Sequence, residues 1–385
     1  MQAVEQRIAV RKSKDVYSLV RQQDTVAKQE LLEQSGLAPS TLNRILEELT
    51  EKGLLQEVGF GESTGGRRPI LYCVNPQYAY AFGLEISRTR SMLVLTDLRQ
   101  NIVGSTVWRM SEAVTPDMLL HEVAASAQYM LEVRGIPQSQ VLGLGIGAVG
   151  PLDPAKGLVL DPLYFKAPGW RDVPVKERLE QALGVPVYLD NGANAALTGE
   201  YWAASFKKRH LLYVHVGAGI RTSMMTGGAI VYGAVDMEGA AGQMIIQAEG
   251  IPHREERGNR GALESYVSIH ALEREWNALG RTGGFAELAS ALEAEDEAAV
   301  GLLRQAGVCM GIGLANLLNI LHPEKVILGG PVANLHPAFF ETAVQSALQG
   351  VYYRHSYQAE FSRGELGEAA IAVGAAVLVM NRLTA

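Results

Sequence analysis

Residues Leu189 to Glu200 read LDNGANAALTGE. A short apolar lead-in runs into Asp190-Asn191-Gly192, and an alanine-rich stretch of helical pattern follows. That is a strand handing over to a helix through a tight turn, the place where α/β proteins build their sites. Gly192 brings no functional group to a position where a side chain would face such a site.

The alternation continues on both sides of this turn. Tyr80–Ile86, Ser91–Leu95 and Ile102–Val107 read as three consecutive strands, and Pro116–Leu131 reads as a helix. Val141–Ala148 reads as a buried strand, Val173–Leu183 as a helix and Val187–Leu189 as the strand leading into the turn. Further on, Leu211–Val216 and Ala229–Tyr232 read as strands. The last part is mainly helical, with Val300–Leu321 the longest element and Val326–Leu328 a strand. The pattern predicts an α/β plan of two lobes around a cleft, roughly 76–190 and 191–385. Gly145 to Gly150, GIGAVG, matches G-x-G-x-x-G after a strand. A dinucleotide site needs a helix starting inside that loop, but Pro151 and Pro154 follow instead, so the run is expected to be a structural glycine turn.

The first 75 residues carry a different pattern. Lys28 to Gln34 is helical and Gly36 supplies a stop of positive φ. Ser40 precedes Leu42, Ile45, Leu46 and Leu49, an apolar stripe at helical spacing, which leaves Ser40, Thr41, Asn43 and Arg44 at the front of that helix, facing away from the stripe. Short polar and basic side chains at a leading edge suit a recognition helix in the major groove. Ile8 to Val20 reads as a third helix. Leu54–Val58 and Ile70–Val74 flank a glycine-rich tip bearing Arg67 and Arg68, a hairpin wing placed to reach phosphates or a minor groove. The segment 1–75 therefore reads as a winged helix-turn-helix DNA-binding domain; a three-helix interaction module with an exposed basic loop is the alternative.

Composition narrows the setting without deciding the function. The chain has 385 residues, 48% of them hydrophobic and 19% charged, which fits a soluble protein with a sizeable core. No apolar run is read as membrane-spanning, and the start MQAVEQRIAVRKSKD lacks the apolar centre of a signal peptide. Cys73 and Cys309 are the only cysteines and hold no ligand spacing, so a reducing, cytoplasmic location is expected. The net charge is −7, yet residues 1–72 hold ten Lys/Arg and ten Asp/Glu, so the acidic excess lies downstream of the head. A neutral segment still presents a basic face, and overall charge does not exclude nucleic acid.

The winged helix, GGRRP (65–69), GLEISRTR (83–90), GAVGPLD (147–153), GWRD (169–172), DNGANAALTGE, VGAGI (216–220), GNRGALESYVS (258–268) and LHPEKVILGG (321–330) follow one another in the order of the ROK family of repressors, open reading frames and kinases. The chain resembles that family over essentially its whole length, and its regulator branch in particular. The resemblance implies an actin-like, ribonuclease H-like ATPase-type fold over 76–385, serving as an effector and dimerisation domain.

The departures from the family pattern bear on function. Kinase members hold ATP phosphates with glycine-rich turns, because a Cβ blocks close backbone approach. Here Glu85, Ser87, Arg88 and Thr89 occupy the first turn, and GAGIRTS with Arg221 the second. The family's Asn-Asp pair aligns with Asn191 and Gly192, and glycine supplies no base for the sugar hydroxyl's proton. Positions of the family's structural zinc ligands align with Gln243, Glu255, Arg257 and Ala262, so no metal and no cofactor are expected. His253 nearby reads as a surface residue. Of the family's sugar contacts, Ala167, Gly192 and Ala240 have lost the polar group, while Asn191, Gln243 and Glu264 keep one.

These features predict a DNA-binding regulator, a repressor of carbohydrate genes, bound as a homodimer to a pseudo-palindromic operator, with no catalysis and no membrane partner. A sugar or sugar derivative held by Asn191, Gln243 and Glu264 in the interlobe cleft is the expected effector; Arg88, Arg90 and Arg221 leave open an anionic one, unless they form ordinary surface ion pairs. An effector-free DNA-binding protein and a sugar kinase with a DNA-binding head are the competing readings.

Overall fold

The stripe Leu42, Ile45, Leu46 and Leu49 is wholly buried, as its helical spacing requires. It lies on α3 (Pro39–Glu51), after α1 (Arg11–Arg21), a two-residue strand β1 (Val26–Ala27) and α2 (Lys28–Ser35) in the computed structural model, which describes residues 8–61, 68–205, 208–235 and 240–384. Gly36 takes φ 63 and donates its N–H to Leu32 O, closing α2. The strands β2 (Leu55–Phe60) and β3 (Ile70–Val74) follow, and β1, unread in the sequence, pairs with β3 in an antiparallel sheet of order β1-β3-β2.

Downstream, β4 (Tyr80–Ile86), β5 (Arg90–Asp97), β6 (Ile102–Arg109), α4 (Pro116–Arg134), β7 (Val141–Ala148), the short pair β8 (Leu152–Asp153) and β9 (Leu158–Val159), α5 (Val175–Leu183), β10 (Val187–Asn191) and α6 (Gly192–Ala203) build a sheet of order β10-β7-β4-β5-β6. Then come β11 (Leu211–Val216), β12 (Ile220–Thr226), β13 (Ala229–Ile230), α7 (Glu264–Val267), α8 (Ile269–Ala278), α9 (Phe285–Glu293), α10 (Glu297–Leu321), β14 (Lys325–Gly329), α11 (Pro337–Gly350), β15 (Glu360–Ser362) and α12 (Ala370–Asn381). The second sheet, β13-β12-β11-β14-β15, repeats the order of the first: three antiparallel strands, then two added in parallel.

Contacts divide the chain into Met1–Phe206 with Ile371–Ala385, and Lys207–Ala370. This differs from the lobe limits expected at 190/191. The strand β10 pairs with β7, and α12 returns to the first unit. Glycines permit that return. A Cβ on Gly83 would lie 1.9 Å from Ala372 O, and one on Gly145 1.8 Å from Ala375 O, so α12 rests against the backbone of β4 and β7. Gly145 and Gly147 thus belong to a strand and not to the glycine turn expected for GIGAVG. Their lack of a side chain serves helix–sheet packing.

The head shares its core with this unit. Val16, Tyr17, Val20 and Leu54 join Ala376, Val379, Met380 and Leu383 at the end of the chain. Arg21 is buried there, its guanidinium 3.6 Å from the centroid of the Trp202 ring on α6 and its Nη1 donating to Asn381 Oδ1 at 3.0 Å. Burial pushes the Arg21 guanidinium down to about 10 and the Tyr17 hydroxyl up to about 12.

The helix α10 corrects one expectation. It is long and apolar enough to cross a membrane, with a mean hydropathy of 1.5, and 61% of that window is buried within the protein. Gly307 and Gly311 let α11 approach it closely, since a Cβ would meet Phe339 O at 2.8 Å and Ser346 Cβ at 2.3 Å. The apolar length packs against protein.

Candidate functional site

The turn after β10 is built by side chains that satisfy one another. Asn191 caps α6, its Oδ1 accepting from Ala193 N–H at 2.9 Å. Asp190 Oδ1 accepts from Asn191 N–H at 2.7 Å and Asn194 Nδ2 at 2.9 Å, and all three residues are buried. Asn191 therefore has a structural task besides any ligand. Gly192 has room for a Cβ, which would stand 3.5 Å from Ile371 Cδ1 and 3.6 Å from Ala148 O, ordinary contact distances, and its φ is not positive. Neither sterics nor backbone conformation demands glycine here.

The two turns compared above with the family's phosphate-holding turns carry other interactions. Between β4 and β5, Arg88 Nε donates to Leu163 O at 2.7 Å, with its guanidinium 5.7 Å from the Tyr164 ring. Arg90 pairs at 3.4 Å with the buried carboxylate of Glu85. Both arginines are engaged within their own unit, Arg90 in an ion pair with a buried carboxylate and Arg88 through a main-chain carbonyl in place of the expected surface ion pair. In the second unit, Gly217 N–H donates to Gly219 O across a short hairpin, and Arg221 lies in β12 opposite His215. The sequence reading had put Arg221 in a loop; pairing with β11 makes it strand.

Within the second unit, residues 240–264 form a knot of hydrogen bonds. Gln243 Nε2 donates to Glu264 Oε1 at 2.6 Å, and Gln243 Oε1 and main-chain O accept from the N–H and Nδ2 of Asn259, both at 2.9 Å. His253 Nε2 lies 2.6 Å from the same Glu264 Oε1, and its Nδ1 accepts from Glu255 N–H at 3.0 Å. His253 Nδ1 also lies 3.3 Å from Glu255 O, and Nε2 lies 3.1 Å from Gln243 Nε2. The Nε2–H tautomer is assigned because it lets the short 2.6 Å contact to Glu264 be a donated bond while Nδ1 accepts from Glu255 N–H. The His253 residue is half-buried and its side chain is only 6% exposed, so the ring of the expected surface residue is withdrawn from solvent. Sequence reasoning missed it because no spacing motif includes it. Gly258 was the available signal: a Cβ there would fall 1.9 Å from His253 Nδ1. Among the described residues no group of three or more His, Cys, Asp or Glu side chains is arranged to hold a metal ion. Ala167, aligned above with one of the family's sugar contacts, is buried in the apolar core.

In the head, Ser40 and Arg44 are exposed at the front of α3 and Thr41 is half-buried. Asn43 departs from the expected outward set: it is half-buried and its Oδ1 is closed off from solvent, with no hydrogen-bond partner among the described residues. Arg68 is exposed beside β3, and Arg67 lies outside the described residues.

A model of the ROK family matches residues 81–382. The xylose repressor of Bacillus subtilis (strain 168) is 27% identical over 362 residues, covering 92% of this chain and 91% of that protein. A ROK family transcriptional regulator, a homolog of the E. coli MLC protein, superposes with a TM-score of 0.76 at 21% identity, over 97% of this chain and 96% of its own. The ROK hexokinase of Thermus thermophilus gives a TM-score of 0.64 at 28% identity, over 80% of this chain and 97% of the enzyme. With the family model spanning most of its length from the first strand of the glycine-lined sheet to the last helix, the chain belongs to the ROK family.

Proposed function

We propose that this chain is a DNA-binding transcriptional repressor of carbohydrate genes, in which a winged helix-turn-helix is joined to a non-catalytic kinase-like effector and dimerisation part. The observation that carries the reading is the head itself. The pair α2–α3 turns at Gly36, buries one stripe, and leaves Ser40 and Arg44 exposed at the leading end of α3, beside a three-stranded sheet with Arg68 exposed at its loop. The similarity to the xylose repressor along both head and ROK part supports it. A homodimer on a pseudo-palindromic operator follows from the few phosphates one head touches. DNA as the ligand puts the protein in the cytoplasm. Gel-shift titration against the DNA upstream of carbohydrate operons tests the reading; absence of any sequence-selective shift would refute it.

The same residues disfavour a kinase. Proton removal from the sugar needs a base, which Gly192 lacks, and Arg88 ties down the turn between β4 and β5 through Leu163. Gly192→Asp separates the two effects. A Cβ fits at ordinary contact distance and a negative charge suits the start of α6, but the carboxylate would be buried next to Asp190, so stability should fall by about 1–3 kcal/mol. A coupled kinase assay with hexoses and pentoses should still find no turnover, because the phosphate-holding turns remain altered. Turnover in this variant would show that the carboxylate alone had been lost.

The effector is a sugar or sugar derivative. Glu264 and Gln243, joined by a 2.6 Å hydrogen bond, are its candidate contacts in the second unit, and Asn191 remains a separate candidate at the start of α6.

A further inference from the structure

We infer that His253 positions Glu264 for ligand binding, and that the pair restricts the effector to neutral polyhydroxylated molecules, excluding sugar acids and sugar phosphates. The inference rests on the effector reading above and names the ligand class for it.

The two oxygens of Glu264 are in different situations. Oε1 is held at 2.6 Å by both Gln243 Nε2 and His253 Nε2. Two donors on one oxygen fix the carboxylate plane, and charge-assisted bonds of that length are the strong ones. Oε2 has, among the described residues, only the long bond from Ile220 N–H at 3.4 Å. It keeps unused acceptor capacity, and the side chain is 18% exposed. Gly242 keeps that oxygen clear, since a Cβ there would lie 2.4 Å from Oε2. An acceptor-only oxygen takes a hydroxyl donor and repels a second anion.

His253 stands outside the Gln243, Glu255, Arg257 and Ala262 positions, and reaches Glu264 with its ring held by the Glu255 main chain over Gly258. Its Nδ1 is engaged by Glu255 and its Nε2 by Glu264, so the ring has no nitrogen left for a ligand. It acts through the carboxylate.

Isothermal titration of the full chain with D-xylose, D-glucose, N-acetyl-D-glucosamine and D-xylonate tests this, with operator affinity in the absence of sugar measured on each sample. Wild type should bind at least one neutral sugar and not D-xylonate. His253→Leu should weaken that sugar by about tenfold or more, and His253→Gln, which keeps a donor, should recover most of the loss. Glu264→Gln should narrow the gap between neutral sugar and acid by removing the charge. Gly242→Ala should weaken binding without touching His253, and decides the matter if His253→Leu does not fold. Sugar binding unchanged in both His253→Leu and Gly242→Ala, or D-xylonate bound more tightly than the neutral sugars, overturns the inference. Operator binding with silence toward every neutral sugar also overturns it while leaving the regulator reading intact. Loss of operator binding in wild type would instead strike the regulator reading.

Discussion

Replacing Gly145 by alanine is expected to destabilise the first unit by about 3–5 kcal/mol, a loss large enough to unfold many proteins of ordinary stability. The added methyl would lie 1.8 Å from Ala375 O, and the obstacle is the main chain of α12, which has no flexible end to move aside. Gly83→Ala meets the same helix at Ala372 O and should behave alike. Displacing α12 also removes Ala376, Val379 and Met380 from the core of the head, so both regions should lose structure together. Gly301→Ala is the matched control. That glycine sits inside α10 with nothing within 4 Å of its Cβ, and the change should stabilise by about 0.5–1 kcal/mol through helix propensity. Urea denaturation followed by circular dichroism reads both. If Gly145→Ala tracks the control, α12 does not pack on β7 as described.

The second large effect is expected on DNA. Substituting alanine for Arg44, Arg67 and Arg68 together should weaken operator binding by about a hundredfold or more near physiological salt, and should lower the slope of log affinity against log salt by about 0.9 for each phosphate contact removed. Arg44 and Arg68 are exposed on one small domain, neither is needed for its core, and no stability change should accompany the loss. Arg44→Ala alone should relax base selectivity if that side chain reads a base, and only reduce the salt slope if it contacts phosphate. Gel shifts over a range of salt concentrations decide it; an unchanged slope in the triple variant would mean that the basic residues face away from DNA. Gly192→Asp should leave operator affinity unaltered.

Most elements were legible because their signals are local. The strands Tyr80–Ile86, Val141–Ala148 and Leu211–Val216 fall where alternation and apolar runs place them, and α3 buries the four residues its spacing selects. The strand Ile220–Thr226 was missed, since glycines before it suggested a loop and only its pairing with β11 holds it extended. Val26–Ala27 was missed for the same reason, being too short to carry a pattern without β3 beside it.

By itself the amino-acid sequence determined the order of elements, the family resemblance, and the chemistry that is missing: no carboxylate at position 192 and no thiolates near Gln243. Those are statements about which atoms exist. Only the tertiary structure decided what the remaining atoms do. It made Gly145 a contact for a helix 230 residues further along the chain (Ala375), turned His253 from a presumed surface residue into the holder of Glu264, and stacked Arg21 of the head on Trp202. Each of these depends on burial and hydrogen bonding between segments far apart in sequence or on the exact path of a loop, and periodicity, which reports only neighbours along one element, carries no trace of them.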